Sequence, residues 1–198
     1  LDETQMRSVL GLTATRAAGL KAQFGTMGKP YNAGLAASAG VEAAMLVQRG
    51  FQPNADALEG TYGFGATHQG AADQGALEGL GDEWLFETVS HKFHACCHGL
   101  HAALEAARAL DIAEPEVAEL KIKTHPRRMS VCNQLAPTTG LGAKSANRTG
   151  IAMQALGYDT ALPGSYTDKV CADPRITSLQ ERITVEAAES PSETQAHL

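Results

Sequence analysis

The stretch from Asn32 to Arg49 constrains the fold more than any other part of the chain. It consists mostly of alanine, glycine and aliphatic residues, with apolar positions at helical spacing. Small residues along such a helix allow a second helix to approach closely. Aromatic residues make up only 5% of the chain, which argues against an aromatic-rich β-sandwich. We therefore predict closely packed helices, one over 4–24 and a second over 32–49.

The second half of the chain combines helical and strand patterns. Alternating apolar residues predict strands over 117–123 and 182–187, and 194–198 resembles a strand that returns onto 182–187 as a hairpin. Helices are predicted at three places: 98–110, 142–156 and 176–181. This order of elements predicts an α+β fold, with part of an all-helical domain at 1–87 and an α/β domain at 88–198.

Charge and composition argue against several classes of protein. The net charge is −6 and no basic stripe offsets it, which disfavours nucleic-acid binding. No apolar run is long enough to cross a membrane, and no secretory leader precedes the first predicted helix. Four unevenly spaced cysteines are typical of reduced thiols, so we expect a cytoplasmic protein. The last strand pattern stops early, which predicts a longer parent protein.

Residues whose side chains can take part in catalysis are concentrated between His91 and His101. This segment holds four of the seven histidines, two of the four cysteines and a lysine, and it leads directly into a predicted helix. The start of a helix presents unpaired backbone N–H groups and the positive end of its dipole, and both attract anions. Imidazoles, whose pKa lies near neutrality, can transfer protons there. We interpret His91 and His94 as structural.

Two alternative chemistries use the same residue types. His94, His98 and His101 would share one face of a helix, as zinc ligands do. However, the adjacent cysteines point to different sides and no second pair of ligands appears, so we assign no metal ligand. Cys97 near a helix start resembles an activated thiol, and we interpret it as a residue that lines a pocket.

Proton transfer on a small polycarboxylate accounts for the remaining charged residues. Such chemistry needs cations that hold the carboxylates and a base that removes a proton from the adjacent carbon. His98 or His101 would be the base. Lys144 and Arg148 form an i, i+4 pair in the predicted helix, and a cationic pair of this kind repels unless it faces an anion or solvent. The cations would come from four positions: Lys29, Lys92, Lys144 and Arg148.

Three segments give the chain a resemblance to a known family. The run from Lys29 to Ala37 resembles the K-P-x-H/N-x-G-x-A-A helix of the MmgE/PrpD family. Lys92 to His101 resembles that family's K-P-Y-P-C-C-H-x-x-H segment, and 133–153 resembles its N-x-P-x-T…E-A-K-F-S segment. The family includes 2-methylcitrate dehydratase, cis-aconitate decarboxylase and iminodisuccinate epimerase.

The resemblance implies a large helical domain, a smaller α/β lid-type domain and an active site in the cleft between them. It also implies a homodimer that needs no cofactor and that removes or delivers a proton beside a carboxylate of a small di- or tricarboxylate. The residues implied as catalytic are Lys29, Lys92, His98 and His101. Those implied to bind the substrate are Asn32, Cys97, Lys144 and Arg148. The pattern favours dehydratase and epimerase chemistry equally, ahead of decarboxylation.

The chain also departs from the family pattern. Gly142 stands where the family usually has Glu, and residues 145–147 replace its Phe-Ser-Tyr. The family's long N-terminal helical portion and the final helices of its first domain are missing. We therefore expect an internal fragment with little activity alone. The alternative is an inactive fragment that serves as a binding, dimerisation or metal-binding module.

Overall fold

The structure divides the chain into two compact units. The N-terminal unit comprises residues 1–22 and 28–89, and the C-terminal unit comprises 23–27 and 90–198. The structure is a computed structural model, and apart from the Gln74 side chain it describes residues 1–71, 73–114, 117–189, 191–192 and 194–198.

The described part of the N-terminal unit is helical. Its α-helices are α1 (Glu3–Ala14), α2 (Gly28–Gln48) and α3 (Phe64–Thr67). A capping box starts α1, since Asp2 and Gln5 each accept the other's backbone N–H through their side chains. Packing of α1 on α2 buries Val9, Ala43 and Val47. No strand occurs among the described residues of this unit, which confirms the predicted helical region.

The bounds of both long helices differ from the predicted ones. α1 ends at Ala14 rather than near residue 24, and the chain leaves the helical path ahead of Gly19, whose φ of +126° a right-handed helix does not accommodate. α2 begins at Gly28, earlier than predicted, because Pro30 falls in its first turn, where a missing N–H costs nothing. Among the helices of the described residues, none is long and apolar enough to cross a bilayer.

The C-terminal unit combines helices with a small sheet. Within its described residues, the helices are α4 (His101–Ala109), α5 (Pro126–Cys132), α6 (Gly140–Ala143), α7 (Asn147–Ala155), α8 (Asp168–Cys171) and α9 (Pro174–Glu181). The strands are β1 (Leu120–Thr124), β2 (Ile183–Ala187) and β3 (Ala196–His197). The combination of this unit with a helical one confirms the predicted α+β class.

Several helices of this unit depart from the sequence predictions. The helix predicted over 142–156 is two helices, α6 and α7, because Ala146 adopts an extended conformation between them. The sequence patterns do not predict α5 or α8. Each of these short helices starts at a local cap, since the side chain of His125 accepts a backbone N–H in α5 and that of Thr167 does so in α8.

The sheet corrects the predicted hairpin. β1 lies in the centre, with β2 parallel to it on one side and β3 antiparallel to it on the other. Leu120 pairs with Ile183 at one end of the β1–β2 ladder. The connection over 188–195 therefore joins strands on opposite sides of β1, and its Ser190 and Glu193 lie outside the described residues. The hairpin prediction is wrong because alternation identifies strands but not their partners.

The core of the C-terminal unit lies between the sheet and its helices. Ile122 of β1 and Ile183 of β2 are fully buried, as are Leu104 of α4, Ile151 of α7 and Leu179 of α9. Burial of an aliphatic side chain of this size contributes about 1.5–3 kcal/mol. This packing fixes the positions of α4 and α7, which carry or adjoin most of the predicted site residues of the unit.

Candidate active site

The segment before α4 carries most of the predicted site residues of the C-terminal unit. Residues 91–97 are not helical, a 3-10 turn follows over 98–100, and α4 begins at His101. The backbone N–H of Cys97 donates to the carbonyl of Lys144 at 2.8 Å, so the segment is tied to the connection between α6 and α7. The polar cluster therefore lies just before a helix and on its first residue, as predicted.

Three histidines of this segment lie together. The ring of His101 stacks on that of His98, with centroids 5.2 Å apart, and meets the ring of His94 edge-on at 5.1 Å. His94 and His101 are buried, whereas His98 is exposed. They do not share a helix face, because His94 precedes the helix. Within the part of the chain that the structure describes, no three His, Cys, Asp or Glu side chains are grouped so that they could hold a metal ion.

His101 has the features of an uncharged base. Its Nε2 is buried and has no hydrogen-bond partner among the described residues. In the neutral tautomer that carries its hydrogen on Nδ1, this unpaired Nε2 has a free lone pair that can accept a proton. Burial lowers the pKa of His101, and the positive charges that His94, His98 and Lys92 can carry lower it further. The ring is therefore neutral at pH 7 and able to accept a proton.

Sequence reasoning misses the hydrogen bonds that orient His94. Its Nδ1 lies 2.7 Å from Thr160 Oγ1, and its Nε2 lies 2.9 Å from Glu105 Oε1. Hydrogen bonds from Arg108 and His94 lower the pKa of the Glu105 carboxyl, so the carboxylate is charged. Both ring nitrogens of His94, whose ring contacts His101, are thus held by hydrogen bonds. The spacing of Glu105, one helical turn after His101, is a signal that sequence analysis could have used, whereas no local pattern indicates Thr160.

Two lysines bring positive charge to the cluster. The ammonium of Lys92 donates to the carbonyl of Cys96 at 3.0 Å. The ammonium of Lys144 lies 5.4 Å from the centroid of the Tyr166 ring, at cation–π distance. Burial raises the pKa of the Cys96 thiol to about 11, against the opposing effects of a hydrogen bond with Tyr166 and the two ammonium groups. The surroundings of the Cys96 thiol are therefore both shielded from solvent and electropositive.

The other predicted residues lie outside this segment. Arg148 lies in the first turn of α7, whereas Lys144 precedes that helix, so the prediction of an i, i+4 pair on one helix is wrong. The Nε of Arg148 is buried without a hydrogen-bond partner among the described residues. α2 places Lys29 and Asn32 in the N-terminal unit, where Lys29 is exposed and the Asn32 amide donates to the carbonyl of Leu20 at 3.4 Å.

Comparison with known sequences identifies the class of protein that has this fold and cluster. The MmgE/PrpD C-terminal domain matches residues 94–197, and the MmgE/PrpD N-terminal domain matches residues 1–76. The chain belongs to the MmgE/PrpD family, which confirms the resemblance seen in its motifs.

Among curated proteins, two sequences named cis-aconitate decarboxylase are similar to this chain. Both come from Aspergillus terreus, one of them from strain NIH 2624 / FGSC A1156. Each is 30% identical over 126 residues, an alignment that covers 59% of this chain and 26% of the relative. The chain therefore spans about a quarter of the length of the curated relatives that it matches.

Proposed function

We propose that this chain is part of an enzyme that removes or delivers a proton on the carbon beside a carboxylate of a small di- or tricarboxylate. The observation that carries the proposal is the buried, neutral ring of His101, whose Nε2 has no partner among the described residues. An unsatisfied buried acceptor costs free energy until a ligand supplies a proton to it. Membership of the MmgE/PrpD family and similarity to named decarboxylases support an enzyme of this kind.

In the proposed step, Nε2 of His101 takes a proton from the carbon next to a substrate carboxylate. The electron pair of that C–H bond moves into the carboxylate and produces an enediolate. The ammonium of Lys92 stabilises the new negative charge, an interaction that is worth more where water is excluded. Return of a proton to the opposite face gives epimerisation. In dehydration, a hydroxyl on the neighbouring carbon takes the proton held by His101, its C–O bond breaks, and it leaves as water.

The proposed roles of the other residues follow from their positions or from the family pattern. His98 stacks on His101 and is exposed, so it is placed to exchange the proton with solvent. Cys97 and Lys144, which share a backbone hydrogen bond, would line the carboxylate side of the site. Three contributions to substrate binding rest on the family pattern alone: those of Arg148, Lys29 and Asn32.

The particular reaction that the enzyme catalyses stays a prediction. The residue pattern favours a dehydratase or an epimerase, whereas the relatives bear the name of a decarboxylase. We also propose that residues 1–87 and 88–198 correspond to the family's helical and lid-type domains. The predicted homodimer can be tested by sedimentation velocity on the purified chain.

Anion binding can be tested separately from chemistry. The chain is titrated with citrate, cis-aconitate and 2-methylcitrate while its melting temperature is measured. A ligand at about 100 times its Kd stabilises the folded state by about 2.7 kcal/mol, so we expect a clear rise in Tm. Lys92→Ala should abolish that rise. Lys169→Ala, at an exposed lysine of α8, should leave it unchanged, and a rise that survives Lys92→Ala contradicts the assignment of Lys92.

Proton transfer is then followed in D2O by NMR, as exchange of the C–H beside each carboxylate. We expect His101→Gln to keep the rise in Tm and to slow exchange by roughly 100-fold or more, the usual contribution of a general base. Loss of binding in His101→Gln would instead indicate a structural role for the ring. Exchange at the unmodified rate in this variant would show that another group is the base.

A further inference from the structure

A pair of thiols in the C-terminal unit lies outside the proton-transfer chemistry. The sulfur of Cys132 lies 3.4 Å from the sulfur of Cys97, and the Cys132 S–H donates to it. The two residues are far apart in sequence and belong to different elements, since Cys132 ends α5 and Cys97 precedes the 98–100 turn. All four cysteines of the chain are thiols.

Backbone packing holds the two sulfurs together. The 98–100 turn lies so close to α5 that a Cβ at Gly99 would overlap Cys132 Sγ and crowd the Arg128 side chain. Only glycine at this position therefore allows Cys132 to reach Cys97. On the other side, the carbonyl of Lys144 holds the Cys97 N–H at 2.8 Å. The sulfurs are thus in van der Waals contact, and bonding requires them to approach to about 2.05 Å.

We propose that Cys97 and Cys132 are a modification site, at which a peroxide oxidises the two thiols to a disulfide. The Cys97 thiolate first attacks one oxygen of hydrogen peroxide, which forms a sulfenic acid and releases hydroxide that is protonated to water. The Cys132 sulfur then attacks the Cys97 sulfur, the S–O bond breaks, and a second water leaves with the Cys132 proton. Overall, two thiols lose two electrons and two protons, and one peroxide is reduced to two waters.

The surroundings of each sulfur fit its place in this sequence. Cys97 is half-buried and can be reached by a small peroxide, whereas Cys132 is fully buried. The hydrogen bond to Cys97 is the main reason that the pKa of Cys132 is raised, followed by burial. Cys132 therefore keeps its proton at neutral pH, and the more accessible Cys97 is the sulfur that a peroxide reaches first, so Cys97 is the attacking thiol and Cys132 the resolving one.

The other two thiols are less suited to the reaction. Cys96 is buried with its sulfur 3.6 Å from the carbonyl of Cys97, and burial raises its pKa to about 11. Cys171 lies in α8, and burial followed by the charge of Asp168 raises its pKa. Both thiols therefore carry little of the reactive thiolate at neutral pH, and each serves as a matched control.

The experiment treats the full chain with hydrogen peroxide at neutral pH, blocks remaining thiols under denaturing conditions, and maps tryptic peptides by mass spectrometry. We expect a reducible cross-link between peptides 93–108 and 129–144, which contain Cys97 and Cys132. The link should form in Cys96→Ser and Cys171→Ser and be absent from Cys97→Ser. Because the cross-link is measured first in the unmodified chain, the result does not depend on the folding of a variant.

Three results would overturn the proposal. One is a link between Cys96 and Cys97 within peptide 93–108, and a second is a link that persists in Cys97→Ser. The third is sulfinic acid on Cys97 with Cys132 still alkylatable, because this would show that the resolving thiol does not reach the sulfenic acid before a second peroxide does.

Discussion

The two units bury their apolar residues to very different extents. In the C-terminal unit, long aliphatic side chains from strands and helices meet in one cluster, where Leu104 and Ile122 are almost fully inaccessible to solvent. The buried cluster of the N-terminal unit is far smaller and consists of Val9, Ala43 and Val47. Since burial of apolar surface is the main favourable term in folding, we expect most of the unfolding free energy to reside in the C-terminal unit.

Helix α2 shows that the apolar composition of a helix does not determine how much of it is buried. Its apolar residues lie all around the helix, a pattern typical of a helix that is covered on every side. Yet Tyr31 is 67% exposed and Val41 is 62% exposed. The pattern therefore predicts that a helix forms, but not how much of that helix is buried.

The largest expected effect compares one leucine from each unit. Leu104→Ala in α4 should lower the unfolding free energy by about 2–5 kcal/mol, because it leaves a cavity in a closed core. Leu10→Ala in α1 should cost within about 0.5 kcal/mol, since Leu10 is 52% exposed. Urea denaturation followed by circular dichroism measures both. Equal losses would show that the two units are stabilised to the same extent.

A second comparison uses glycines and predicts effects of opposite sign. A Cβ at Gly140 would overlap the backbone of Tyr166 and Thr167, so Gly140→Ala should destabilise the C-terminal unit by about 1–3 kcal/mol. Nothing lies within 4 Å of a Cβ at Gly34 in α2. Gly34→Ala should therefore stabilise that helix by roughly 0.5–1 kcal/mol, measured by the same denaturation. A loss of stability in Gly34→Ala would mean that α2 is packed more closely than its exposure indicates.

The smallest expected effect is a pH dependence that belongs to the C-terminal unit. Burial is the main cause of the lowered pKa of His101, so the unfolded chain binds more protons than the folded chain as the pH falls through the unfolded value near ~6.5. Stability should therefore be retained above that pH and decrease below it. His101→Gln should flatten this decrease, and His68→Gln, at an exposed histidine of the N-terminal unit, is the control. Thermal melts between pH 5 and 8, a range that spans the usual histidine pKa, provide the measurement, and identical curves for all three chains would contradict the role of His101.

Local patterns predict much of the fold and part of the candidate site. The helix that starts at the polar cluster, the strands β1 and β2, and the grouping of His98 with His101 follow from spacing within a few residues. Such features depend on capping and periodicity, which adjacent residues determine. The end of α1 at Ala14 and the break between α6 and α7 do not appear in the periodicity, and the break falls where Ala146 adopts an extended conformation.

Contacts between distant parts of the chain account for what the sequence does not predict. The hydrogen bond between His94 and Thr160 and the contact between Cys97 and Cys132 join residues with no shared local pattern. The same holds for the pairing of β2 with β1. Sequence analysis therefore names the two base candidates, His98 and His101, but not the groups that orient His94 or the contact between Cys97 and Cys132.

The parallel pairing of β1 with β2 has a consequence for the order of folding. Everything from α5 to α9 lies in the connection between these two strands, and closing so long a loop is slow because its entropy is lost before the ladder forms. Lys144 and Thr160, which hold the segment before α4, both lie in that connection. We therefore expect the histidine cluster to assemble no earlier than the strand ladder during refolding, and pulse-labelled hydrogen exchange that protects the Cys97 amide before β1 would contradict this order.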